Sequence, residues 1–202
     1  MSALSLVIVF FATEASAFSY SQLRNGLNTS IEEFYNTTDP VWTYESMVDE
    51  TASFSCLVDV TANTTRSYLY FRRYFYSDGK RLTTPLMRVL DPAHPMKSRT
   101  TLVYDGAEPI YKQTNPQFQE TLLYQSNDSS CGVFQYFKHP DVFRYDLRLW
   151  NCSLEAGPEE DCVKFFNEVY QVHTTTPPFR TLQKRKIYNH TCQDILKPPG
   201  QC

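Results

Sequence analysis

Between Val41 and Trp150 the hydrophobic positions come in short runs of β-branched and aromatic residues. Turn chemistry breaks them at Asp49-Glu50, Asn63 to Thr65, Asp78-Gly79, Asp91-Pro92, Asp105-Gly106, Asn127 to Ser130 and His139-Pro140. The runs predict strands over 41–48, 53–61, 67–76, 82–90, 100–105, 117–125, 131–138 and 143–151, with 109–113 prolonging the fifth. Eight antiparallel strands on about 110 residues match an all-β, up-and-down barrel, whose interior is then filled by side chains or holds one small ligand. A two-sheet sandwich is the rival.

Beyond the eighth run the period changes. After Gly157-Pro158, the acids Glu159-Glu160-Asp161 precede Cys162, Phe165, Phe166, Val169 and Tyr170. Proline near the start, acids in a first turn where the dipole is positive, and an apolar stripe behind them predict a helix over about 158–170. A helix after the last strand favours the barrel. Upstream, Leu23, Leu27, Ile31, Phe34 and Tyr35 recur at three- and four-residue spacing and predict one amphipathic N-terminal helix over 18–36. The tail, 171–202, carries Pro177-Pro178, Pro198-Pro199 and two cysteines, and reads as an extended strap tethered to the barrel.

The first residues change the setting. Leu4 to Ala12 is an apolar run of signal-peptide length, followed by Ala15-Ser16-Ala17, which predicts a signal peptide over 1–17 with cleavage after Ala17. The run is too short to span a bilayer about 30 Å thick. Secretion agrees with the cysteines, Cys56, Cys131, Cys152, Cys162, Cys192 and Cys202, an even set without a Cys-x-x-Cys pair, so three disulfides are expected and no metal site. Glycosylation sequons begin at Asn28, Asn36, Asn63, Asn127, Asn151 and Asn189. Asn151 is the weakest, because its middle residue, Cys152, is itself expected in a bridge.

Composition then removes whole classes of function. The chain has 202 residues and a formal charge of −3, and its longest basic cluster is Lys184-Arg185-Lys186, too little for a nucleic-acid partner. With 14 Tyr, 14 Phe and only 6 Gly it can bury a core, and 18–202 is expected to fold as one domain and a monomer. There is no Gly-x-Ser-x-Gly, no His-Glu-x-x-His and no glycine-rich phosphate loop, and His94, His139, His173 and His190 are isolated, so neither enzyme activity nor a cofactor is expected.

Three stretches carry a resemblance. Asp161-Cys162-Val163-Lys164-Phe165-Phe166-Asn167-Glu168 is similar to the Cys-x-x-x-Phe-x-Glu helix signature of the tick salivary lipocalins, the histamine-binding family. Cys131-Gly132-Val133, Arg148-Leu149-Trp150 and Cys162 reproduce the spacing of that family's biogenic-amine pattern, with Gly132 and Arg148 at its two acidic positions. In a second register Tyr145-Asp146-Leu147 matches and the acid is kept as Asp146. Phe118-Gln119-Glu120 resembles a Phe-x-Asp stretch of the family's pocket.

The resemblance implies a lipocalin barrel over about 41–151, with bridges Cys56–Cys192 and Cys131–Cys162, leaving Cys152–Cys202. It also implies a secreted salivary protein that sequesters a small host mediator, by family histamine or another biogenic amine, to evade host defence. An amine needs carboxylates and aromatic faces to replace its hydration. Glu120 and Asp146 are the candidate anions, with Phe118, Trp150, Tyr44 and Tyr111 as walls. Alternation puts Asp146, Arg148 and Trp150 on one face of the eighth strand. Arg148 in a lumen would suit an anionic lipid mediator, a leukotriene or fatty acid, through a charge-assisted hydrogen bond. In the pair Arg72-Arg73, one guanidinium points to each face of the third strand. A host immune or haemostatic protein, bound at the barrel mouth, is the remaining alternative as target.

Overall fold

The computed structural model describes residues 29–90, 99–140, 142–175 and 182–197. The signal segment 1–17, Asn28, Cys202 and most of the predicted N-terminal helix lie outside the described residues. The elements are α1 (Ile31–Phe34), β1 (Val41–Val48), β2 (Phe54–Thr64), β3 (Tyr68–Ser77), β4 (Lys80–Val89), β5 (Thr100–Asp105), β6 (Phe118–Gln125), β7 (Cys131–Lys138), β8 (Val142–Trp150), α2 (Glu160–Thr175) and β9 (Gln183–Lys186). Strands β1 to β8 pair antiparallel in chain order, and β1 closes the barrel by pairing with both β8 and β2. At the β3–β4 hairpin Asp78 and Gly79 both have positive φ, 51° and 73°, the backbone that a tight two-residue turn between twisted strands requires.

Three expectations need correction. The predicted helix over 18–36 does not run through Ser30, whose extended backbone (φ −136°, ψ 115°) starts α1 afresh, its hydroxyl accepting from the Glu33 N–H. Residues 109–113 do not prolong β5; Ile110–Lys112 forms a 3-10 turn after Pro109. The tail is more than a strap, because β9 adds a ninth strand to the sheet along β1.

The sheet packs on both of its faces, in different places. The outward face, with Trp42, Val58, Leu123, Val133, Tyr145, Leu147 and Leu149, lies beneath α2 and the tail. Helix α2 contributes Cys162, Phe165, Phe166 and Val169, an i, i+3, i+4, i+7 stripe. Disulfides Cys131–Cys162 and Cys56–Cys192 tie β7 to α2 and β2 to the tail. The inward face holds Leu69, Phe71, Leu86, Val103, Phe118, Leu122, Phe134 and Tyr136, joined by Ile31, Phe34 and Tyr35 of α1. Burying side chains of this size contributes about 1.5–3 kcal/mol each.

Helix α1 thereby stoppers one end of the barrel. Thr29 Oγ1 donates to the Leu122 carbonyl, and Gln125 Oε1 accepts from the Ser30 N–H. Gly132 makes room for the stopper: a Cβ there would stand 2.7 Å from Phe34 Cε2. The opposite end is framed by the β1–β2, β3–β4, β5–β6 and β7–β8 connections.

Candidate functional site

The centre of the barrel is ionic. Asp59, Arg73, Arg88, Glu120, Asp146 and Arg148 come from β2, β3, β4, β6 and β8, each at an inward position, and none is more than 5% exposed. Alternation explains the convergence, since Phe71 and Arg73, Phe118 and Glu120, and Asp146 and Arg148 are pairs two residues apart on a strand.

Arg73 grips Asp59 with two bonds, Nε to Oδ1 at 2.7 Å and Nη2 to Oδ2 at 2.8 Å, and reaches Glu120 Oε1 at 3.0 Å. Arg88 Nη2 donates to Asp59 Oδ2 (3.0 Å) and Glu120 Oε2 (2.7 Å). Arg148 Nη2 donates to Glu120 Oε1 and Asp146 Oδ2, both at 2.7 Å. Asp146 also accepts from Ser46 Oγ (2.7 Å) and from Arg144 Nε at 3.1 and 3.2 Å. The Tyr35 hydroxyl of α1 completes the network, accepting from Arg88 Nη2 (3.0 Å) and Arg148 Nη1 (2.8 Å).

Aromatic rings separate the guanidiniums. The Arg88 Cζ lies 3.9 Å from the ring centres of both Tyr35 and Phe71, and the Arg148 Cζ 4.5 Å from Phe134. Toward the end opposite α1, Arg73 lies over Phe118 (4.9 Å) and Arg144 over Tyr136 (3.9 Å), while the Phe118 and Tyr136 rings meet at 4.8 Å. Cation–π contacts of this kind replace part of the hydration that burial removes.

Burial would raise the Glu120 carboxyl, but the charges of Arg148, Arg88 and Arg73 overcome it and hold the group well below the ordinary carboxylate range. Asp59 is held down against burial by Arg73 first, then Arg88 and Arg148, and Asp146 by Arg144 and Arg148. Burial pushes the Tyr35 phenol up to about 12. All three acids are therefore carboxylates at neutral pH, and each of their oxygens already accepts from a guanidinium. The guanidiniums are less fully used: Arg88 Nε and Nη1, Arg148 Nε and Arg144 Nη2 are buried with no partner among the described residues, as is Thr43 Oγ1.

Among the residues singled out in the sequence, Phe118, Glu120, Asp146 and Arg148 meet in this lumen. Trp150 lies at its stoppered end, donating from Nε1 to the Phe34 carbonyl at 3.0 Å. Tyr44 and Tyr111 do not join them. Tyr44 stacks on Tyr188 of the tail outside the barrel, its position following the bulge between Thr43 and Glu45, and Tyr111 is 82% exposed on the 3-10 turn after β5. Of the Arg72-Arg73 pair, Arg73 points inward and Arg72 is exposed. Asn151 is buried and accepts from Trp42 Nε1, a position closed to a glycan, whereas Asn36, Asn63, Asn127 and Asn189 are exposed. Cys202, the partner expected for Cys152, lies outside the described residues.

Sequence reasoning passed over Asp59, Arg88, Arg144 and Tyr35. Asp59 did leave a signal, a lone acid at an alternating position inside Leu57-Val58-Asp59-Val60.

No family model matches this chain, and no curated protein matches it. Solved structures do. A serotonin complex of AM182 is 13% identical, over 87% of this chain and 97% of that one, with a TM-score of 0.56. Japanin from Rhipicephalus appendiculatus, bound to cholesterol, is 10% identical over 81% and 100% of the two chains, with a TM-score of 0.51. Insecticyanin from the tobacco hornworm Manduca sexta is 8% identical over 82% and 84%, also at 0.51. At these identities the likeness is one of fold, and the fold this chain shares with them is the eight-stranded antiparallel lipocalin barrel.

Proposed function

We propose that this protein is a secreted binding protein that sequesters a small organic anion, such as a lipid mediator carrying a carboxylate, in the open end of its barrel. The observation that carries the reading is a charge imbalance. Four guanidiniums, Arg73, Arg88, Arg144 and Arg148, face three carboxylates, Asp59, Glu120 and Asp146, so among the described residues the lumen holds one positive charge in excess. A buried charge without a counterion is costly, and a ligand with a single negative charge offsets it. The guanidinium donors left without partners are groups that an anion satisfies and an ammonium cannot.

Histamine or another biogenic amine fits this lumen less well, because Glu120 and Asp146 are already committed to arginines. The solved relatives include proteins bound to serotonin and to cholesterol, which supports small-molecule capture and leaves the ligand to be read from this chain's own charges. Capture is stoichiometric. Secretion is supported by the signal-like segment 1–17, the disulfides and the exposed sequons. Asn36, Asn63 and Asn127 all sit at the stoppered end. Resemblance to the tick salivary lipocalins supplies the biology, removal of a host mediator to blunt host defence.

Calorimetric titration of the mature chain with leukotriene B4, histamine and serotonin tests this reading. One-to-one binding of the leukotriene with no heat from the amines is expected. Saturable amine binding overturns it, and silence with all three redirects the search to a protein partner.

A further inference from the structure

Arg185 lies on β9, outside the eight barrel strands, yet its register brings it to the open end. It stands opposite Ser46 of β1, whose hydroxyl donates to Asp146, and antiparallel partners share a face of the sheet, so Arg185 is on the lumen side. Its guanidinium donates to the carbonyls of Ala52 and Phe54. Its Cζ is 5.4 Å from the Phe54 ring centre, and the Arg144 Cζ is 5.0 Å from the same ring. Phe54 thus sits at the meeting point of two guanidiniums, one from a barrel strand and one from the tail.

The two differ in how their charge is met. Arg144 shares Asp146 with Arg148, and its Nη2 has no partner among the described residues. Arg185 is fixed by two carbonyls, which orient the fork without neutralising it, and no carboxylate among the described residues pairs with it. It is half-buried, and water screens it only in part. A second positive charge is therefore held in place above the lumen's own excess.

We propose that Arg144 and Arg185 form a two-point anion clamp beside Phe54, and that the ligand is an amphiphile whose head is an oxyanion with two negative charges, of the phosphate-monoester class. This rests on the reading of the barrel as an anion binder and narrows it. A phosphate monoester offers three terminal oxygens and, near neutral pH, a charge of about −1.5 to −2, matching the lumen's excess and Arg185 together. A carboxylate neutralises only one of the two. The apolar part of the ligand then meets Phe118 and Tyr136, which line the inward wall toward the same end. The tail, through the Cys56–Cys192 bridge and β9, is on this account part of the binding site.

The test is a calorimetric comparison of decyl phosphate, decanoate and inorganic phosphate on the full mature chain, its Arg185→Gln variant and its Arg185→Lys variant. Decyl phosphate is expected to bind the unmodified chain at least about tenfold more tightly than decanoate, one charge-assisted contact being enough for that difference. Arg185→Gln should bring the two to near equality, and Arg185→Lys, which keeps the charge, should retain part of the preference. Equal affinity for both amphiphiles in the unmodified chain, or an undiminished preference in a folded Arg185→Gln, overturns the clamp while leaving the anion reading intact. Inorganic phosphate binding as tightly as decyl phosphate overturns the amphiphile. If neither amphiphile binds the unmodified chain, the anion-binding function fails with it.

Discussion

At the scale of single residues, the network makes Glu120 a structural group as well as a charge facing the lumen. It accepts from Arg73, Arg88 and Arg148, so neutralising it leaves three buried guanidiniums short of an anion. Removal of one partner from such a network costs about 3–5 kcal/mol. Glu120→Gln should lower unfolding free energy by that amount in urea titration, whereas an acid on a solvated outer face would cost almost nothing. The Tyr35 hydroxyl is the neutral counterpart. Tyr35→Phe withdraws an acceptor from both Arg88 and Arg148 and should cost about 1–3 kcal/mol in the same assay.

The three acids also fix a pH dependence. Their folded pKa values lie below those of the unfolded chain, which are near 4. The stability they contribute is complete above that range and is lost as pH falls through the folded values. Thermal melts should be flat from about pH 7 to 5 on this account and should fall steeply below about pH 4. At this scale the sequence was partly legible. The alternation of Asp146, Arg148 and Trp150 showed one shared face, but a lone charge in a strand reads equally as rim or outer surface. Arg88 was therefore invisible, and Asp59 only a lone acid of unknown facing, until five strands brought their charges together.

At the scale of elements, the strands were legible because turn chemistry punctuates them, and α2 because its acids, its proline and its apolar stripe agree. The N-terminal stripe misled for a physical reason: Ile31, Phe34 and Tyr35 pack together in the core, but Ser30 is extended and caps α1, so the helix starts afresh at Ile31. The tail's β9 has no hydrophobic signature, its sequence being Gln183-Lys184-Arg185-Lys186. It pairs because β1 departs from β2 after Trp42 and leaves Glu45 to Val48 to be met by another strand. The Cys56–Cys192 bridge holds that arrangement across a sequence separation of 136. Replacing both cysteines by alanine should cost about 2–5 kcal/mol, and amide exchange should quicken first in β9. Gly132 tests the stopper. In Gly132→Ala the new methyl collides with the Phe34 ring, and a loss of about 1–3 kcal/mol is expected from overpacking. Phe34→Leu in the same chain should recover part of it, a coupling that a double-mutant cycle reads directly.

At the scale of the whole molecule, a barrel of this size can fill its lumen with apolar side chains. Apolar replacements of buried ion pairs elsewhere are often neutral or stabilising. This lumen instead keeps, among the described residues, seven ionised groups and one positive charge in excess, with α1 at one end and loops without sequons at the other. The barrel was legible in the strand pattern. The charge of the lumen was not, because it depends on how many arginines turn inward, which alternation leaves open in a strand such as Tyr70-Phe71-Arg72-Arg73-Tyr74.

The most direct test of that sign is a pair of probes alike in everything but charge. Decanoate and decylamine, titrated calorimetrically into the same mature protein at neutral pH, differ only in the head group. Saturable binding of decanoate at one per chain, with decylamine giving no heat beyond dilution, is the result expected of a lumen with an excess guanidinium. Saturable binding of decylamine in preference to decanoate would contradict it and return Glu120 and Asp146 to the role of amine ligands.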